Sequence, residues 1–334
     1  MKVLFLASAL AAAVPARGGP FDAPQAAPLM LEPPPLARAE ADPPDTEPTP
    51  TPSPSPAPRG GPTSDFWLPM GSLVVPGLGQ YVHGDPRAGL AFTTTAFGGI
   101  LAGSALIGDE ALDDVDLTTS SPREQWGLAF LSTGQSALFL SAYDSFHRAV
   151  PELQRRGEYG FLTHHEPTER LFTAPFALSY AKRRTTWIPM GVAAALATAV
   201  YIDGRHGHDR FRPYHEGDEL FVAGISYNAG VAEEALFRGY VLPLAQRRMG
   251  SFWAANGAQA VLFGALHYEA GGSLPIVQTL SALYDGWLTR HNGGSVRESI
   301  FQHFWYDVLV LTATLLADPL DEPKNVSVRF SVSF

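Results

Sequence analysis

The chain has 334 residues, of which 46% are hydrophobic and only 17% charged, and its net charge is -10. So little charge in a chain long enough for several buried helices fits a polytopic membrane protein. The acidic balance excludes the concentrated basic surface that a nucleic-acid partner needs, and the absence of cysteine removes disulfides, thiolate metal sites and cysteine nucleophiles. The mean hydropathy of +0.00 averages a polar N-terminal stretch with strongly apolar segments further along.

Residues 1–16 read as a secretory signal. Lys2 precedes an apolar run from Val3 to Val14, and Val14-Pro15-Ala16 supplies small residues for cleavage. An uncleaved interfacial anchor is the alternative, because the run is too short to span a bilayer. Residues 17–63, which include TPTPTPSPSPAP, are too poor in apolar surface to fold and read as a disordered, proline-rich linker.

Apolar segments follow at Phe66–Val82, Ala88–Ile107, Trp126–Tyr143, Trp187–Ile202, Leu220–Leu242, Phe252–Tyr268, Leu274–Leu288 and Ile300–Leu316. Most approach the roughly 17 to 25 residues needed to cross a bilayer. Trp187–Ile202 and Leu274–Leu288 are short, so their helices are expected to extend into flanking residues. Phe66–Val82 contains Pro76-Gly77-Leu78-Gly79-Gln80 and reads either as a span or as a re-entrant segment. The predicted fold class is an all-α polytopic membrane protein with about eight transmembrane helices and a disordered proline-rich N-terminal region.

Short loops rich in Lys and Arg tend to stay cytoplasmic. Residues 144–186 carry Arg148, Arg155, Arg156, Arg170, Lys182, Arg183 and Arg184, and are placed inside; the acidic GDEALDDVDLTTSSPREQ before them is placed outside. Arg247 and Arg248 mark a second inner loop, Arg290 and Arg297 a third, and the tail after Leu316 falls outside. An N-terminus exported by a signal then requires the PGLGQ segment to cross.

Within Glu219–Leu244 stand Glu233, Glu234 and Arg238, ionisable groups that are costly in an apolar helix unless function retains them. An i,i+4 spacing puts Glu234 and Arg238 on one face, where they can neutralise each other, while Glu233 points about 100° away. Glu233 is therefore the unpaired carboxylate, the kind of group a general base for water requires. Phe263-Gly264-Ala265-Leu266-His267 and His303-Phe304-Trp305-Tyr306-Asp307 add two histidines and a carboxylate on later segments.

These three stretches match, in order, the motifs EExxxR, FxxxH and HxxxN/D, and over about 100 residues, Glu219 to Leu316, the chain resembles the CPBP family of CAAX prenyl protease and bacteriocin-processing-like intramembrane proteases. The resemblance implies that Glu233 activates water for attack on a peptide carbonyl, that His267 and His303 line the same pocket, and that Glu234 and Arg238 form a supporting pair. Its prenyl-protein proteases carry Asn where this chain has Asp307. An amide can donate a hydrogen bond to an oxyanion, whereas an ionised Asp307 repels one, so Asp307 is expected to orient His303 or to join Glu233, His267 and His303 around a metal. Both a zinc-activated water and a metal-free glutamate/histidine route are open, and no organic cofactor is expected.

Counting about 1.5 Å per residue from Arg247, Arg248 and Arg297 sets Glu233 about 21 Å, His267 about 28 Å and His303 about 9 Å into the bilayer, a mismatch that straight helices do not close. The tail from Asn325 to Phe334 alternates with a strand period, which fits an external pairing strand or an outer-membrane barrel strand.

The expected organisation is a signal at 1–16, a linker at 17–63, N-terminal membrane helices at 64–203, a CPBP-like protease core at 204–317 and an external tail at 318–334. The expected location is a bacterial inner membrane, with linker and tail periplasmic. The expected partners are the lipid bilayer and a peptide or membrane-protein substrate. A membrane scaffold or immunity-type protein that keeps the polar cluster for helix packing is the contrasting reading.

Overall fold

A computed structural model describes residues 64–108, 121–211, 213–214, 216–268 and 274–318. The signal, the proline-rich linker, most of the acidic connection after Ile107 and the alternating C-terminal tail lie outside the described residues. Within those residues the chain is all-helical, as expected.

The first three helices are α1 Trp67–Val74, α2 Leu78–Val82 and α3 Pro86–Ile107. The fourth, α4 Pro122–Arg155, opens on a capping box in which Ser121 and Glu124 bond each other's backbone N–H, with Pro122 at the first helical position. Its 34 residues are longer than a bilayer core requires, and from Ser136 to Phe146 nearly every side chain is buried. This helix is the central post of the fold, because α1, α3 and the later helix carrying Glu233 all pack on it.

Alpha-carbon approach at the α3–α4 contact depends on glycine. A Cβ at Gly99 would lie 2.6 Å from the Phe130 carbonyl, and one at Gly134 2.8 Å from the Ala96 carbonyl. Gly99 and Gly103 form a GxxxG pair, the close-packing pattern of membrane helices.

After short α5 Thr168–Leu171, the segment Trp187–Ile202 extends into its flanks as anticipated, giving α6 Arg184–Arg205. Next come α7 Glu216–Leu236, a π-helical stretch Phe237–Val241, α8 Leu242–Met249, α9 Phe252–Leu266, α10 Ile276–His291 and α11 Arg297–Leu316. One hydrophobic core runs through α1, α4, α7, the π stretch, α9, α10 and α11. Among the described residues two helices, α3 and α6, are by themselves long and apolar enough to cross a membrane.

Phe66–Val82 is not a single spanning helix. With eight and five residues, α1 and α2 are each too short for a bilayer core of about 30 Å. Gly77, at φ 88°, breaks them apart, and its N–H is taken by Ser141 Oγ at 2.8 Å. Buried Gln80 donates to the Ser141 carbonyl at 3.0 Å and to Asp144 Oδ2 at 2.9 Å, so the broken segment is fastened to α4.

Both ends of that segment sit at one end of the bundle. Asp65 accepts from Tyr159 at 2.7 Å and pairs with Arg247, and Asp85 pairs with Arg148 at 3.1 Å. Arg148 and Arg247 belong to the connections placed in the cytoplasm. The opposite end is marked by Gln125 donating to Asp218 at 3.0 Å and Arg205 donating to the Leu316 carbonyl at 3.3 Å.

The PGLGQ segment therefore enters and leaves on one side, which corrects the crossing assigned to it. Asp65 and Leu316 lie at opposite ends of the bundle. The cysteine-free chain allows a direct check with single cysteines and a membrane-impermeant maleimide. Ser64→Cys and Arg87→Cys, which flank the segment, are expected to label from one side and His206→Cys from the other; opposite labelling of 64 and 87 would restore the crossing.

Candidate active site

Helix α7 presents its two glutamates as their spacing requires. Glu234 is fully buried and its Oε1 lies 3.0 Å from Arg238 Nη1, itself fully buried. Arg238 stands in the π stretch, a widened turn of a kind that recurs at functional sites. Its guanidinium also lies over the Phe263 ring, 4.5 Å from the centroid. Glu233, a third of a turn away, turns into a gap between helices with 21% of its side chain exposed.

His267 caps the C-terminus of α9, and its Nδ1 lies 2.8 Å from the Phe263 carbonyl. A carbonyl only accepts, so Nδ1 carries the proton and Nε2 is left facing Glu233 Oε2 at 3.9 Å. His303, on α11, donates from Nδ1 to Glu234 Oε1 at 2.9 Å. Its Nε2 faces Glu233 Oε2 at 4.0 Å and Asp307 Oδ2 at 3.5 Å.

All six residues singled out in the sequence, Glu233, Glu234, Arg238, His267, His303 and Asp307, are thus brought to one place. The separation in depth counted along straight, level helices closes, because side chains from three helices meet within 4.0 Å. The orienting partner of His303 is Glu234 rather than Asp307, which sits at the other ring nitrogen.

The separations around Glu233 Oε2 are too long for direct hydrogen bonds, and that oxygen is buried with no hydrogen-bond partner. Such spacing suits one bridging water. Among the described residues no group of three or more His, Asp or Glu side chains is gathered so as to hold a metal ion, and this includes the set Glu233, His267, His303 and Asp307.

Sequence reasoning missed Asp285. It is buried on α10 with Oδ2 3.6 Å from Arg238 Nη2, so the guanidinium lies between two carboxylates. The signal was present, since an aspartate inside the apolar run Leu274–Leu288 is costly for the reason that singled out Glu233. Phe263 gains a second role: its ring also packs on His267, with centroids 4.4 Å apart, and edge-on to Phe237 at 5.0 Å.

No curated protein matches the chain significantly, and no solved structure does. One family model matches, described as Type II CAAX prenyl endopeptidase Rce1-like, over residues 218–309. That span contains the glutamate pair, Arg238, both histidines, Asp285 and Asp307, and the family is one of membrane-associated CAAX-type proteases. Residues 218–309 therefore match an Rce1-like domain, in agreement with the CPBP family that the three motifs resemble.

Proposed function

We propose that the chain is an intramembrane endopeptidase that hydrolyses a peptide bond with a water activated by Glu233. The observation that carries this reading is the buried, unpartnered Glu233 Oε2 turned toward Nε2 of both His267 and His303. A water bridging these atoms gives a proton to Glu233 as its oxygen attacks the peptide carbonyl carbon. The C–N bond then breaks, and the proton passes from Glu233 to the departing amine.

His267, protonated at Nδ1, accepts from the water through Nε2 and orients it. His303, held at Nδ1 by Glu234, points Nε2 into the same gap, where its doubly protonated form donates to the tetrahedral oxyanion. This supplies the donor that Asp307, beside the same nitrogen, cannot supply when ionised.

Aromatic residues support placement in a bilayer. Trp67, Trp187 and Trp253, each more than half exposed, stand at helix starts on the basic end, and Trp126 stands exposed at the other. We read α3, α4, α6, the continuous α7–π–α8 rod, α9, α10 and α11 as passes and α1–α2 as re-entrant. The protease core is 204–317, with the helices of 64–203 buttressing it through α4; the membrane is a bacterial inner membrane, and the substrate is a peptide or membrane protein.

The mechanism proposed is metal-free. A chelator titration on purified protein cleaving a peptide library in liposomes is the test: cleavage is expected to survive. Loss on chelation with recovery on added zinc would replace the free water by a metal-held one.

A further inference from the structure

We propose that Asp285 is a positioning residue that shares the Arg238 guanidinium so that Glu234 remains free to hold His303. The inference rests on the peptidase reading of this site. Glu234 Oε1 is ion-paired with Arg238 Nη1 at 3.0 Å and accepts a hydrogen bond from His303 Nδ1 at 2.9 Å. Were Glu234 the only counter-charge, the planar guanidinium would favour a two-pronged pairing with it and draw the carboxylate off the imidazole. Asp285, 3.6 Å from Nη2, balances Arg238 from the other side, and the Phe263 ring beneath leaves the guanidinium in place between them.

The position of Asp285 is built by its neighbours on α9 and α10. Asn256 donates to the Leu283 carbonyl at 2.8 Å, and Gln259 donates to the Ala282 carbonyl and to Asn256 Oδ1, each at 2.9 Å. These amides clamp the turn of α10 that precedes Asp285. At Gly286 a Cβ would fall 1.8 Å from Asn256 Oδ1, so the adjoining glycine is what lets α10 approach α9 this closely. A carboxylate so held in an apolar helix, touching no reacting atom but touching Arg238, acts through Arg238 and Glu234 on His303.

The full-length protein tests this with two variants and two readouts. Asp285→Asn keeps shape and an acceptor oxygen but removes the charge; Asp285→Glu keeps the charge. In Asp285→Asn, kcat for peptide cleavage is expected to fall roughly tenfold with KM unchanged, as fits the loss of one charge a few ångströms from the reacting groups, and Asp285→Glu is expected to recover most of it. With ¹⁵N-labelled histidine, the His303 Nδ1 resonance, assigned by its absence in His303→Gln, is expected to move in Asp285→Asn and to stay near its wild-type position in Asp285→Glu.

A wild-type kcat in Asp285→Asn, or a reduced one with the resonance unmoved, overturns the proposal. Should the wild-type protein cleave nothing, the peptidase reading fails, and the His303 resonance alone decides whether Asp285 positions that ring.

Discussion

Glu233→Gln is expected to lower peptide cleavage by about 10²–10⁴-fold, the contribution of a positioned general base, while leaving the folded protein intact. Glutamine matches glutamate in shape but cannot take a proton from water. Its cost to stability is small because Glu233 Oε2 has no hydrogen-bond partner to lose and the side chain is partly exposed. Cleavage rates in liposomes, with a melting curve on the same sample, separate chemistry from folding. Undiminished cleavage would remove Glu233 as the base, and a wild-type protein that cleaves nothing would favour the scaffold or immunity-type reading.

Arg238→Ala carries the largest expected loss of stability, about 3–5 kcal/mol, because removing one partner of a buried ion pair leaves charge uncompensated. Here the stranded groups are Glu234 and Asp285, at 3.0 and 3.6 Å from the guanidinium, and the Phe263 ring loses its stacked cation. Arg238→Lys is expected to restore only part, since a point charge cannot face two carboxylates and a ring face together. Replacing Arg238 with Leu together with Glu234→Gln and Asp285→Asn should cost less than Arg238→Ala alone. Denaturant titration followed by tryptophan fluorescence measures the order; Arg238→Ala unfolding at the wild-type midpoint would show that the ion pair does not hold α7 to α10.

The parts of the site legible in the sequence are those set by helix period. The i,i+4 interval from Glu234 to Arg238 predicts their pairing, and the neighbouring position of Glu233 predicts that it is left over; both follow from 3.6 residues per turn whatever surrounds the helix. The short segment Trp187–Ile202 grows at both ends into α6, whereas Leu274–Leu288 keeps nearly its length as α10 Ile276–His291, because Pro275 stops the helix on its N-terminal side. Asp285 was equally visible as an aspartate in an apolar run, but no motif drew attention to it.

Other features depend on which distant groups the fold brings into contact. Glu234 rather than Asp307 holds His303 Nδ1 because α7 and α11 cross at that level, and no spacing within either helix encodes the crossing. The break at Gly77 was signalled by Pro76-Gly77, yet both ends of Phe66–Val82 are held on one side by Asp65 with Arg247 and Asp85 with Arg148, pairs made between residues far apart in sequence.

Local periodicity states which side chains share a helix face, because that depends on backbone geometry alone. Which ring nitrogen meets which carboxylate, and which way a broken segment turns, depends on contacts between residues far apart in sequence, and only the packed helices supply those.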